Sequence, residues 1–192
     1  LASCIDGSSV MSGGFDETAT FGAGEANETT LGWPGCSGGF IARYNTDGTL
    51  AWAKGPIGDY DFEDSGAIAS GADGSILVTG YFTDTAIFGV GESNETHLES
   101  AGSSDIFIAR YDEDGTLAWA KRAGSTKGDQ GMSIACFPDG SSAITGWFEE
   151  TAVFGAGEAM ETTLSLSGPW WGVFIARYNA DGTLAWAKGG NR

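Results

Sequence analysis

Fifteen residues, Phe40-Ile41-Ala42-Arg43-Tyr44-Asn45-Thr46-Asp47-Gly48-Thr49-Leu50-Ala51-Trp52-Ala53-Lys54, return almost unchanged at 107–121 and at 174–188. The copies start 67 residues apart both times. A long stretch repeated at a fixed period makes a chain an array of equal units, and every other reading must fit that array. Within the stretch, two short runs rich in aromatic and aliphatic residues flank Asn45-Thr46-Asp47-Gly48. Asp-Gly in that setting predicts a hairpin, because Gly accepts the positive φ of the turn. With Gly48 at the bulge and Asn45 opposite Thr49, the register faces Tyr44 with Leu50, Ala42 with Trp52, and Phe40 with Lys54. Side chains alternate, so Phe40, Ala42, Tyr44, Leu50 and Trp52 share one face, and Ile41, Arg43, Ala51 and Ala53 the other. Both faces carry apolar groups, which predicts a sheet covered on both sides. A helix is excluded by the short runs and the Asp-Gly break.

A second hairpin precedes each copy. Its turns are Asp6-Gly7, Asp73-Gly74 and Asp139-Gly140, followed by strand-like runs at 9–15, 76–82 and 142–148. Each unit thus holds four strands, A to D. Between B and C lies a longer segment with Gly-x-Gly-Glu and then Thr-x-Leu, which predicts a small extra ribbon with a Gly-rich bend. Four antiparallel strands per unit, repeated, describe an all-β chain of β-propeller blades, three repeats of about 67 residues. The expected organisation is a single region over 1–192 with blades at 1–54, 64–121 and 130–188. A solenoid strand would not need two Asp-Gly hairpins per repeat, and a sandwich would not repeat so closely. The 32 glycines carry no three-residue period, which excludes collagen and fits many short strands joined by turns.

The repeated pattern Asp-Gly then [ST]-G-x-F, T-A-x-F-G, and F-I-A-R-Y-x(2)-D-G-x-L-A-W-A-K resembles the bacterial β-propeller repeat family often called SBBP. Ala69 to Phe82 with 107–121 is the fullest example, and the likeness covers the chain three times over. It implies a propeller fold at the cell surface or outside the cell, and it implies little about ligand. Repeats of that family carry an Asp just before strand C. Here Asp105 fills that place, while Gly38 and Gly172 stand at the equivalent positions.

The formal net charge of −17 makes nucleic acid and anionic membranes poor partners, because phosphate binding relies on Lys and Arg. No apolar run approaches the ~20 residues of a spanning helix. The chain opens on Leu1, inside a repeat and without a signal peptide, which reads as a processed or excerpted product. Loop lengths place the short A–B and C–D turns at one rim and the long B–C and D–A segments at the other, where binding residues concentrate. Of the 26 acidic residues, 18 fall in the long segments. A closed ring would gather these acidic loops around one central opening.

Glu25, Glu92 and Glu158 end the Gly-x-Gly-Glu motifs, and Glu28, Glu95 and Glu161 follow three residues later. Such carboxylates suit Ca²⁺, a hard cation, although solvated loop acids would look the same. Asp59-x-Asp61-x-Glu63-Asp64 starts like an oxygen-ligand loop but has Asp64 where an EF-hand needs Gly. Trp33, Trp170 and Trp171 lie near the end of the B–C segments, where indoles beside carboxylates could stack on sugar rings. His97, the single histidine, has no nucleophile motif to serve, and Cys4, Cys36 and Cys136 form no C-x-x-C pair. Trp52, Trp119 and Trp186 recur in strand D as expected core, and Arg43, Arg110 and Arg177 as structural pairs with acids of the next unit. Asn27-Glu28-Thr29 and Asn94-Glu95-Thr96 are glycosylation sequons.

The reading that follows is a non-enzymatic binding or scaffold module, extracellular or on a bacterial cell surface, with no certain cofactor. A Ca²⁺-dependent carbohydrate binder is the alternative, using the Gly-x-Gly-Glu acids and the loop tryptophans. An enzyme with a site over the central channel is the third class. Propellers close with about four to eight blades, so three leave two apolar faces bare. A second copy or further blades of a longer chain would cover them, and the ligand would be a protein or a glycan.

Overall fold

The structure is a computed structural model that describes residues 1–58, 66–168 and 170–190, and of residues 33–37 and 57–58 the backbone alone. The described residues form strands, turns and no helix. The first sheet is β1 (Ala2–Ser3), β2 (Ser9–Phe21), β3 (Thr29–Tyr44) and β4 (Leu50–Lys54). After β5 (Ile57–Gly58), the second comprises β6 (Ala67–Ser70), β7 (Ile76–Phe82), β10 (Asp105–Tyr111) and β11 (Leu117–Ala123), with β8 (Thr85–Phe88) and β9 (Thr96–Glu99) as its ribbon. The third comprises β12 (Asp129–Cys136), β13 (Ser142–Glu149), β16 (Trp171–Tyr178) and β17 (Leu184–Gly190), with β14 (Thr151–Phe154) and β15 (Thr162–Ser165) as its ribbon. Each four-stranded sheet is antiparallel in sequence order.

The first strands of the three sheets approach one another, β1 against β6 and β6 against β12. The fourth strand lies at the opposite edge of each sheet. The array therefore fans outward from its first strands. The sheets pack face against face. Val10 and Ile41 of the first sheet join Phe82, Phe107 and Tyr111 of the second in one core. Leu77, Ile106 and Ile108 of the second join Phe148, Phe174 and Tyr178 of the third in another. Burying each such side chain contributes about 1.5–3 kcal/mol, so these two seams dominate the cohesion of the array.

The hairpin register departs from the sequence expectation after one pair. Tyr44 faces Leu50, but a bulge then leaves Ala51 unpaired, so Arg43 faces Trp52, Ala42 faces Ala53 and Ile41 faces Lys54. The same shift occurs at Arg110/Tyr111 and Arg177/Tyr178. A bulge sets two residues against one and flips everything beyond it to the other face. Trp52 and Lys54 consequently share a face with Ile41 and Arg43, and that face meets the next sheet.

The expected placement of the acidic bends is also corrected. The ribbon leaves the rim predicted for it, but left-handed residues at its base (Glu17, Asp84 and Glu150, φ 50–59°) turn it back along the outer strand. Its Gly-x-Gly-Glu bend ends beside the first residue of that strand, next to the Asp-Gly turn. Gly22 shows this most directly: a Cβ there would fall 2.7 Å from the Leu50 Cβ. The bends thus lie on the outer edge at the short-turn end, not around a central opening. Backbone links between sheets complete the array. β5 pairs with β8, and Gly124 bridges Val153, so each connecting segment adds to the ribbon of the sheet that follows.

Candidate functional site

The Gly-x-Gly-Glu glutamates point into the protein. Glu25, Glu92 and Glu158 each accept the backbone N–H of Leu50, Leu117 and Leu184 at 2.5–2.6 Å. The free oxygen of Glu92 takes Lys54 Nζ from the previous sheet at 2.6 Å, and that of Glu158 takes Lys121 at 2.9 Å. The second set caps the bend itself: Glu28, Glu95 and Glu161 accept the N–H of Gly24, Gly91 and Gly157. That bond, aided by His97 at 2.9 Å, holds the Glu95 carboxyl below its ordinary range. Asn27 and Asn94 of the sequons donate to the Leu50 and Leu117 carbonyls, so both amides are engaged in the fold. No group of three or more His, Cys, Asp or Glu that could hold a metal occurs among the described residues. Asp59, Asp61, Glu63 and Asp64 lie outside the described residues, as does the side chain of Trp33.

Trp170 and Trp171 are exposed, and the Trp171 ring lies 5.7 Å from that of Trp147. They do not meet the bend acids. Glu158 bonds Leu184, opposite Tyr178, whereas Trp171 opens the same strand seven residues earlier, roughly 23 Å away along it. The tryptophans and the Gly-x-Gly-Glu acids of the third repeat are therefore two places, not one site.

An exposed apolar area covers the free face of the third sheet. Val173 and Ile175 are 63% and 41% exposed, while Ile106 and Ile108, their equivalents in the second sheet, are fully buried beneath the third. Together with Met132, Trp147, Trp171 and Lys188 they line an open groove of about 730 Å³. Arg177 stays beside this face, paired with Asp139 at 2.9 Å. Its equivalents Arg43 and Arg110 pair with Asp6 and Asp73 in the same way, and each also reaches a backbone carbonyl of the next sheet. The arginines thus hold both their own turn and the following unit.

Sequence reasoning missed a buried acid pair at the second seam. Asp105 and Asp129 have no exposed surface. A Cβ on Gly124 would fall 2.7 Å from an Asp105 oxygen and 2.9 Å from an Asp129 oxygen, so the two carboxyls flank that glycine. Asp105 takes Arg122 at 2.6 Å and the Ala101 N–H, but its Oδ1 has no hydrogen-bond partner among the described residues. Burial, and secondarily the charge of Asp105, pushes Asp129 from the ordinary 3.8 up to about 7, against the Ser125 and Glu149 N–H groups that favour the anion. Asp105 is likewise raised by burial. Carboxyls so enclosed touch no solvent-borne substrate; they sit in the joint between two sheets. The Asp-before-strand-C pattern pointed to Asp105, but no local pattern marks Asp129.

Comparison with known proteins supports a β-propeller repeat family. Residues 71–117 match the family model described as "Domain of unknown function (DUF5122) beta-propeller". The chain is 27% identical over 159 residues to "Regulatory protein FlaEY" of Caulobacter vibrioides, a match covering 82% of this chain and 15% of that protein. It is 26% identical over 116 residues to an uncharacterized WD repeat-containing protein of Acanthamoeba polyphaga mimivirus, covering 59% of this chain and 8% of that one. The chain therefore spans only a small fraction of either relative.

Proposed function

We propose that this chain is a non-enzymatic protein-binding module of propeller type, acting as a scaffold through the free face of its third sheet. The observation that carries the reading is the contrast at equivalent positions: Val173 and Ile175 are exposed where Ile106 and Ile108 are fully buried. An apolar sheet face with exposed tryptophan at its margin is the surface a protein partner covers. Similarity to a regulatory protein and to a WD repeat-containing protein supports the same class of role. The likeness of the repeats to bacterial cell-surface repeats supports placing it outside the cell.

A photo-cross-linking residue in place of Trp171 tests this. Polypeptide adducts of discrete mass are expected. Retention on a glycan array, lost in Trp171→Ala and accompanied by no polypeptide adduct, would replace the reading with the carbohydrate one.

A further inference from the structure

We propose that the free face of the third sheet is one half of a head-to-tail joint, and that the free face of the first sheet in a second copy of this chain is the other half. This rests on the protein-binding reading and names its partner. The joint is written twice inside the chain. At the first seam Lys54 pairs with Glu92, the Trp52 indole donates to the Glu113 carbonyl at 3.1 Å, and its ring covers Gly115 so closely that a Cβ there would fall 2.7 Å away. At the second seam Lys121 pairs with Glu158, Trp119 donates to the Ala180 carbonyl at 3.0 Å, and its ring covers Gly182 at the same 2.7 Å. In both, the bulge in the hairpin aims lysine and tryptophan forward while the acceptors face back.

The two ends of the array carry the unmatched halves of this set. On the third sheet, Lys188 is exposed and has no ion pair among the described residues, and Trp186 stands where Trp52 and Trp119 stand. On the first sheet, Glu25 bonds Leu50 yet takes no lysine among the described residues. Gly48, the equivalent of Gly115 and Gly182, has none of the described residues within 4 Å of where a Cβ would sit. The aromatic surface is also half-finished: Phe15 and Tyr44 are partly exposed, whereas Phe82, Tyr111, Phe148 and Tyr178 are at most 1% exposed. Lys188 therefore fits Glu25, Trp186 fits Gly48 and the Thr46 carbonyl, and Val173 with Ile175 fits Phe15, Phe40 and Tyr44. Charge, donor, acceptor and apolar shape all match between opposite ends of one chain. A heterologous contact of this kind closes when its rotation permits. Two copies would bring six sheets together, within the range of closed propellers.

Charge reversal tests the joint by sedimentation velocity. The wild-type chain is expected to sediment as two chains. Lys188→Glu alone and Glu25→Lys alone each set like charges together at both joints and should weaken association by about tenfold or more. An equimolar mixture of the two pairs each reversed charge with its opposite and should recover the two-chain species. Glu25→Gln keeps an acceptor for the Leu50 N–H and separates the charge from the fold of the bend. Ile175→Asp, on a residue outside both internal seams, should give single chains with unchanged circular dichroism. A wild-type chain that stays single, or reversals that associate like wild type, would overturn the joint. If the wild type stays single while the cross-linker at 171 captures another protein, the joint fails and the protein-binding reading stands. Failure of both removes that reading too.

Discussion

Asp129→Asn should remove much of a fall in stability with rising pH. The Asp129 carboxyl has no exposed surface and is held up to about 7 in the fold against 3.8 ordinarily. Between those values the folded chain binds a proton that the unfolded chain has released. Stability from this group is therefore fully present below about 3.8, declines as pH rises, and is lost once pH passes about 7. Three pH units at ~1.4 kcal/mol each set a ceiling of about 4 kcal/mol, and relaxation around the charge lowers this to ~2–4 kcal/mol. Asn keeps a carbonyl that can accept the Ser125 N–H and removes the anion facing Asp105. The variant should already exceed wild type at pH 5, where the unfolded carboxyl has ionised, by a minor part of that amount, and exceed it at pH 8 by most of it. Urea unfolding followed by tryptophan fluorescence at pH 5, 6, 7 and 8, at fixed chain concentration and with constant m, measures the difference. A wild-type stability that is flat or rising from pH 5 to 8 would refute the reasoning. So would a variant weaker than wild type at pH 8.

Other perturbations read the same architecture. Gly89→Ala meets both a φ of +64° and the Leu117 Cβ at 2.8 Å, whereas Gly91→Ala meets φ +77° in open space. Thermal melts should show a loss of about 1 kcal/mol for the second and clearly more for the first. Phe148→Ala, at a fully buried ring in the second seam, should cost about 3–5 kcal/mol in urea, and equal effects from Val173→Ala in a dissociated chain would contradict the assignment of faces. Glu92→Gln and Glu158→Gln should leave the response of the melting midpoint to calcium as in wild type, because both glutamates already spend their oxygens on Leu N–H groups and lysines; a response lost in either variant would contradict this.

The four strands of each sheet were legible because Asp-Gly turns and the fixed period mark them in the letters themselves. Three features were not. The bulge after Tyr44 depends on backbone geometry that Ala51 does not announce, and it decides which face Trp52 and Lys54 take. The folding back of the ribbon depends on left-handed Glu17, Asp84 and Glu150, two of them glutamates, whose side chain does not favour that conformation. It moved the acids from an imagined central opening to the outer edge, where Glu92 and Glu158 became ties between sheets. Asp129 acts through a partner 24 positions away, and only packing brings Asp105 and Asp129 to the same glycine. The free faces were anticipated by counting sheets, but their matched chemistry emerges only when each end is compared with the two seams inside the chain.

Exchange of the tryptophan indole N–H protons, read by ¹⁵N NMR in the Ile175→Asp chain, bears most directly on the claim that one joint is used throughout. Trp52 and Trp119 donate across seams to Glu113 and Ala180, and should exchange slowly. Trp186, at the free end, should exchange fast there and slow in the associated wild type. Rapid exchange at Trp52 and Trp119, or equal rates for all three in the dissociated chain, would contradict the account.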